Sequence, residues 1–283
     1  PILIIKTAWG GKSLHTDFRS PSAGPYAFTE QQKEGFEKQG KDYKQIKAEK
    51  GHETELYYRL MIEHVERVLL DIKEVYPGYD AQYGYELAGM VWFQGWNDMV
   101  DRGAYPDRDR PGGYDRYSEA LGHFIRDVRR DLSAPDLPFV IGVIGVGGPV
   151  KNYGAAQKRY AGIHQYFRSA MAAPATWPEF DGNVSSVLTE NYWDMELTAL
   201  RARDAELNQK MKQLVSNGNL QKKEQQSMRE KLRAEMFTKR ELETLQKGVS
   251  NQEYHYLGSA KIMAQIGRGF AESIAQLMGP SSN

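Results

Sequence analysis

Two amides and a carboxylate, Gln94, Asn97 and Asp98, follow directly on the apolar run Leu87-Ala-Gly-Met-Val-Trp-Phe93. Side chains of this kind donate hydrogen bonds to a carbonyl or an oxyanion, or bind polar ligand groups, provided the fold delivers them to one place. Two glycines, Gly10 and Gly11, close a second apolar run, Ile2–Ala8, and glycine at a strand end lets a backbone N–H approach a ligand closely. Near the C-terminus, His255 stands in Glu253-Tyr-His-Tyr-Leu-Gly258; a histidine there is either structural or a general base. Trp9, Trp96, Tyr192 and Trp193 fall near predicted strand ends, where aromatic faces stack on sugar rings or pack into the core.

Other motifs are excluded by their spacing. Ser13 lacks the Gly-x-Ser-x-Gly pattern of a nucleophile elbow. Gly145-Val-Gly-Gly-Pro149 lacks the third glycine and the following helix of a dinucleotide loop, and no Gly-x-x-x-x-Gly-Lys-Ser/Thr pattern is present. His52 and His64 have no partners at metal-ligand spacing and no His-Glu-x-x-His motif occurs, so neither a metal nor an organic cofactor is expected. Lys plus Arg and Asp plus Glu both total 37, a formal net charge of zero, which argues against nucleic acid as a partner. The 283 residues contain no cysteine, so thiolate chemistry and disulfides are excluded, and no apolar run approaches the roughly 18 residues of a membrane span.

The elements that must position these groups follow from hydrophobic periodicity. Strands are predicted over Ile2–Ala8, Leu87–Phe93, Phe139–Val146 and Val184–Leu188; for Leu87–Phe93 the reason is a continuous apolar run between turn signals, which fits a sheet covered on both faces. Helices are predicted over Glu53–Tyr76 (Leu56, Leu60, Val65, Val68, Leu69 and Ile72 inward), Tyr114–Leu132, Tyr153–Ala172 and Leu257–Leu277. His15–Gly51 reads as a long loop with at most a short helix at Gln31–Gln39. Alternating strands and helices imply a three-layer α/β/α sandwich with a parallel sheet. Met195–Lys247 departs from the pattern: Leu200, Leu207, Met211 and Leu214, then Met228, Leu232, Met236, Leu242 and Leu245, flank a turn at Ser216-Asn-Gly-Asn219. This is expected to be a charged helical hairpin inserted into the α/β domain, which would comprise 1–194 and 248–279, and its expected work is packing or subunit association.

Gln94-Gly-Trp-Asn-Asp98, within Val91-Trp-Phe-Gln-Gly-Trp-Asn-Asp98, resembles the third block of the SGNH hydrolases, and more narrowly that of the sialate O-acetylesterase and acetylxylan esterase branch. Ile5-Lys-Thr-Ala-Trp-Gly-Gly-Lys-Ser-Leu14 resembles the second block, and Glu253-Tyr-His-Tyr-Leu-Gly-Ser-Ala-Lys261 the last. The resemblance implies a flavodoxin-like parallel sheet and a serine esterase that removes O-acetyl groups from carbohydrate. It assigns His255 as general base, Gly11 to the oxyanion hole with Gly10 as the neighbouring alternative, and either Gln94 or Asn97 as the side-chain oxyanion donor. Asp98, Trp9, Trp96 and Trp193 would contact substrate. The chain departs from the family in two places. The aspartate usual three residues before the histidine is Gln252 here, so Glu253 is expected to orient the imidazole; and no Gly-Gln-Ser-Asn nucleophile block is present. The opening Pro1-Ile-Leu-Ile-Ile5 is therefore expected to follow a nucleophile strand in a longer protein, and the rival expectation is a noncatalytic carbohydrate-binding protein on the same fold. The family points to a periplasmic or secreted location.

Overall fold

The computed structural model describes residues 1–218 and 221–279 of the chain. They form two units: Pro1–Ile144 with Val150–Leu188 and the chain from Gly269 onward, and Gly145–Pro149 with Thr189–Arg268.

The first unit is mixed α/β around a three-stranded parallel sheet. In chain order it contains helices α1 (Glu30–Lys38), α2 (Tyr43–Glu53), α3 (Leu56–Leu70) and the short α4 (Ile72–Val75). Strand β1 (Met90–Trp92), helices α5 (Trp96–Val100) and α6 (Asp115–Asp131), strand β2 (Phe139–Val143), helix α7 (Ala161–Ala172) and strand β3 (Val184–Leu188) follow. The sheet order is β1-β2-β3, with Met90 opposite Phe139 and Phe139 opposite Val184. β2 is central and all five of its residues are buried, as its unbroken apolar sequence requires.

α6 follows the predicted pattern closely. Tyr117, Leu121, Phe124, Ile125 and Val128 are all buried, and each such side chain contributes roughly 1.5–3 kcal/mol on removal from water. Asp115 in its first turn and Arg129 and Arg130 in its last complement the helix dipole.

Several elements differ from the sequence expectation. Ile2–Ala8 forms no strand: Ile2 and Ile4 are 91% and 83% exposed, because among the described residues no segment pairs with it. The strand expected at Leu87–Phe93 pairs only over Met90–Trp92, since its neighbour's ladder starts after Pro138, which has no N–H to donate. α2 was invisible to periodicity because it buries no residue; Asp42 caps it by accepting from the N–H groups of Lys44 and Gln45. In α3 the inward face is Tyr58, Met61 and Ile62, whereas Leu56 and Leu60 are exposed. Tyr58 sets that orientation, its ring 5.6 Å from Phe124 and its hydroxyl donating to Asp131 at 2.6 Å. α7 is shorter than the helix predicted from Tyr153, because the chain through Gly154 makes only short 3₁₀ turns at Val150–Asn152 and Lys158–Tyr160.

The second unit is helical: α8 (Met195–Asn217), α9 (Lys222–Met236), α10 (Lys239–Gly248) and the start of α11, which runs Ala260–Met278. Leu200, Leu207, Met211 and Phe237 form its core, with Met228, Leu232, Met236, Leu242 and Leu245 against it. The segment expected to be two helices carries three, because Thr238 and Glu241 form a capping box that starts a new helix after Phe237. Leu214 is 39% exposed, and the expected turn ends at Asn219, outside the described residues. Among the described residues no helix is long and apolar enough to cross a membrane.

Candidate functional site

In the first unit the polar block after β1 is organised around Asp98. This carboxylate is 0% exposed and accepts four hydrogen bonds. Oδ2 takes the Leu14 N–H at 2.8 Å and the Gln94 Nε2 at 2.7 Å; Oδ1 takes the His15 N–H at 3.1 Å and the Tyr105 hydroxyl at 3.0 Å. A buried carboxylate is tolerable where donors replace its water, and two of these four, the Leu14 and His15 N–H groups, tie the loop after Gly11 to α5. Lys12 and Asp17, 3.3 Å apart, close the same loop, and the Lys12 ammonium lies 4.1 Å over the Tyr57 ring.

The two amides of the block have different environments. Gln94 Nε2 donates both to Asp98 and to the Lys12 carbonyl, at 3.0 Å, so both of its hydrogens are used within the protein. Its Oε1 meets the Tyr117 hydroxyl at 3.4 Å. Asn97 is half-buried and, among the described residues, its amide makes no hydrogen bond. It faces Gly11: a Cβ on that glycine would lie 3.9 Å from Asn97 Nδ2. Gly11 has φ +73°, a left-handed conformation that only glycine adopts without strain, whereas nothing lies within 4 Å of the corresponding position at Gly10.

Trp9 is 37% exposed and packs its edge on Tyr57 at 5.3 Å. Trp96 is half-buried at the start of α5. Ser13 is 5% exposed, and both its N–H and its hydroxyl donate to Asp17 Oδ2 at 2.9 Å. That serine serves the loop's own structure. Near it, His15 Nε2 lies 3.2 Å from Asp101, whose carboxyl is held down at about 2 by this contact and by the backbone N–H groups of Ala104 and Gly103.

In the second unit His255 is exposed on the 3₁₀ segment Glu253–Gly258. Its Nδ1 lies 3.0 Å from Asn251 Oδ1, which also accepts the Gln252 N–H at 2.8 Å. The amide oxygen only accepts here, so in the neutral imidazole the hydrogen sits on Nδ1. Glu253 points elsewhere, its carboxylate 2.8 Å from Arg201 Nη1. The turn is built against strain: Tyr256 and Leu257 both have positive φ, at 52° and 62°. The Leu257 carbonyl accepts from the N–H groups of Ser250 and Asn251, and the buried Tyr256 hydroxyl meets the Gly145 N–H and Thr189 Oγ1, each at 2.8 Å. Trp193 is 6% exposed, its indole N–H donating to Thr198, so it serves the core of this unit.

Sequence reasoning missed Asn251, Tyr105 and Tyr256. Their contribution is a contact made by ordinary-looking residues, and spacing alone carries no signal for it. Among the described residues no group of three or more His, Asp or Glu side chains is placed to hold a metal ion.

No curated protein and no solved structure matches the chain. A family model does, over a stretch that contains Gly11, Gln94, Asn97 and Asp98 and ends before His255. With residues 1–173 matched, the chain belongs to the carbohydrate esterase family described as sialic acid-specific acetylesterase.

Proposed function

We propose that the protein is a serine esterase that removes O-acetyl groups from carbohydrates, sialate O-acetylesters among them, through an acetyl-enzyme. The observation that carries the reading is the closeness of Gly11 to an Asn97 amide that, among the described residues, makes no hydrogen bond, beside a Gln94 amide whose hydrogens are already committed. On this reading the Gly11 N–H and the Asn97 amide are the oxyanion donors, and Gln94 and Asp98 hold the loop that carries Gly11. A donor aimed at the developing oxyanion lowers the barrier by roughly 3 kcal/mol.

His255 Nε2 takes the proton of the attacking hydroxyl and returns it to the leaving sugar oxygen. Asn251 keeps the proton on Nδ1, the role that the sequence had offered to Glu253. A neutral partner fixes the tautomer but offers less charge stabilisation to the imidazolium than a carboxylate would. The nucleophilic serine is not identified in this chain; Ser13 is committed to Asp17. Around this chemistry we infer a three-layer α/β/α arrangement, with 195–247 as the inserted helical segment and a surface for subunit association.

Treating the natively produced protein with a fluorophosphonate, and following deacetylation of an O-acetylated sugar, tests the assignment. A single serine adduct, together with turnover abolished in a folded His255→Ala variant, is the expected result. Unchanged turnover in that variant would remove His255 from the mechanism. Sugar binding without adduct or turnover would leave the noncatalytic carbohydrate-binding reading in its place.

A further inference from the structure

Beside the Asp98 network, the first unit carries a partly open cavity of about 100 Å³ whose wall holds His15, Arg19, Arg116 and His123 against a single carboxylate, Glu119. The two guanidinium groups, Arg19 and Arg116, have no ion pair among the described residues. Arg19 spends its three nitrogens on the backbone carbonyls of Gly24, Ala23 and His15, and among the described residues it has no ion pair. Burial, and then the charge of Arg116, lower its pKa, with smaller opposing contributions from Tyr105, Tyr26 and Glu55. Arg116 donates one bond, from Nη2 to the Ala27 carbonyl at 2.7 Å, and the rest of its fork has no protein partner among the described residues. His123 is held through Nδ1 by Ser22 at 2.8 Å, and among the described residues its Nε2 has no partner. His15, by contrast, is fully engaged, Nδ1 with Thr16 and Nε2 with Asp101.

We propose that this cavity is a binding site for a small oxyanion, a carboxylate or phosphate group, gripped by Arg116 and His123 and favoured by the field of Arg19. The volume admits a group of that size. A guanidinium fork matches both kinds of oxyanion, so the anion comes either from a carboxylate carried on a sugar or from free inorganic phosphate. Glu119 stands one turn along α6 from Arg116 and opposes the ligand. The Tyr105 hydroxyl and the His15 N–H belong to residues of the same wall and both hold Asp98, so occupation stiffens the loop that follows Gly11. Binding itself does not depend on the esterase reading, and the two fail separately.

The test is a titration of the full chain, at constant ionic strength, with inorganic phosphate, glucuronate and glucose, followed by thermal shift and calorimetry. A saturable response to phosphate or glucuronate and none to glucose is expected; phosphate alone identifies a free anion, glucuronate alone a sugar-borne carboxylate. Arg116→Gln, at an exposed position, should weaken binding about tenfold, in line with loss of one charge-assisted contact. Glu119→Gln should tighten it by roughly threefold, a direction that a merely structural role would not produce. No saturable response to either anion, an equal response to glucose, or affinities unchanged in both variants would overturn the proposal.

Discussion

Asp98→Asn is the substitution most diagnostic of how the site is built. The change is nearly isosteric, so no cavity opens, but one acceptor oxygen becomes an NH₂ donor. If Oδ2 is replaced, the Leu14 N–H and the Gln94 amide both lose their acceptor; if Oδ1 is replaced, the His15 N–H and Tyr105 hydroxyl do. The second arrangement is cheaper, because a hydroxyl can rotate to accept from the new amide whereas a backbone N–H cannot. One orphaned buried donor costs about 1–3 kcal/mol, and exchanging a charged acceptor for a neutral one weakens the remaining bonds, so the loss should be about 2–4 kcal/mol. Urea unfolding followed by circular dichroism, with the slope unchanged, measures it. The folded variant should also lose turnover, since the loop after Gly11 is no longer pinned. A stability within roughly 0.5 kcal/mol of the parent would refute the argument that this carboxylate organises the loop.

Asn97→Ala should lower kcat by roughly a hundredfold or more with little effect on stability, whereas Gln94→Ala should act mainly on stability, because its amide bridges the Lys12 carbonyl and Asp98; steady-state kinetics beside urea unfolding separates the two. Asn251→Ala should slow turnover roughly five- to tenfold by freeing the His255 tautomer, and Glu253→Gln, which breaks only an exposed pair with Arg201, should change it by less than about twofold. The opposite order would restore Glu253 as the orienting group. His164 is held at about 4 in the folded protein, first by burial and then by the charges of Arg168 and Arg108. The folded state thus binds this proton more weakly than the unfolded chain does, so stability is full above pH about 6.5 and declines as pH falls towards 4. The decline should reach about 2–3 kcal/mol and should shrink in a folded His164→Gln variant, as read by pH-dependent urea unfolding.

The sequence by itself determined the parts of this protein that rest on local pattern. β2 and the buried face of α6 were legible because apolar runs and 3.6-residue periodicity report burial directly; β3 was also predicted, although of its five residues only Val184 is buried. The placement of Gln94, Asn97 and Asp98 just beyond β1, and of Gly11 in a turn, followed from where the apolar runs stop. Tertiary structure decided what those residues are free to do. Gln94 and Asn97 are the same kind of amide three positions apart, and only the Lys12 carbonyl and the Asp98 carboxylate, brought from distant and neighbouring chain alike, commit one and leave the other open. Glu253 is nearer His255 in sequence than Asn251 is, yet Arg201, some fifty residues away, takes the carboxylate. Ile2–Ala8 has the composition of a buried strand, but a strand exists only with a partner along its edge, and composition cannot supply one. Hydrophobic burial is written one residue at a time, whereas hydrogen-bond pairing is a property of two, and the second partner is fixed only once the chain has folded.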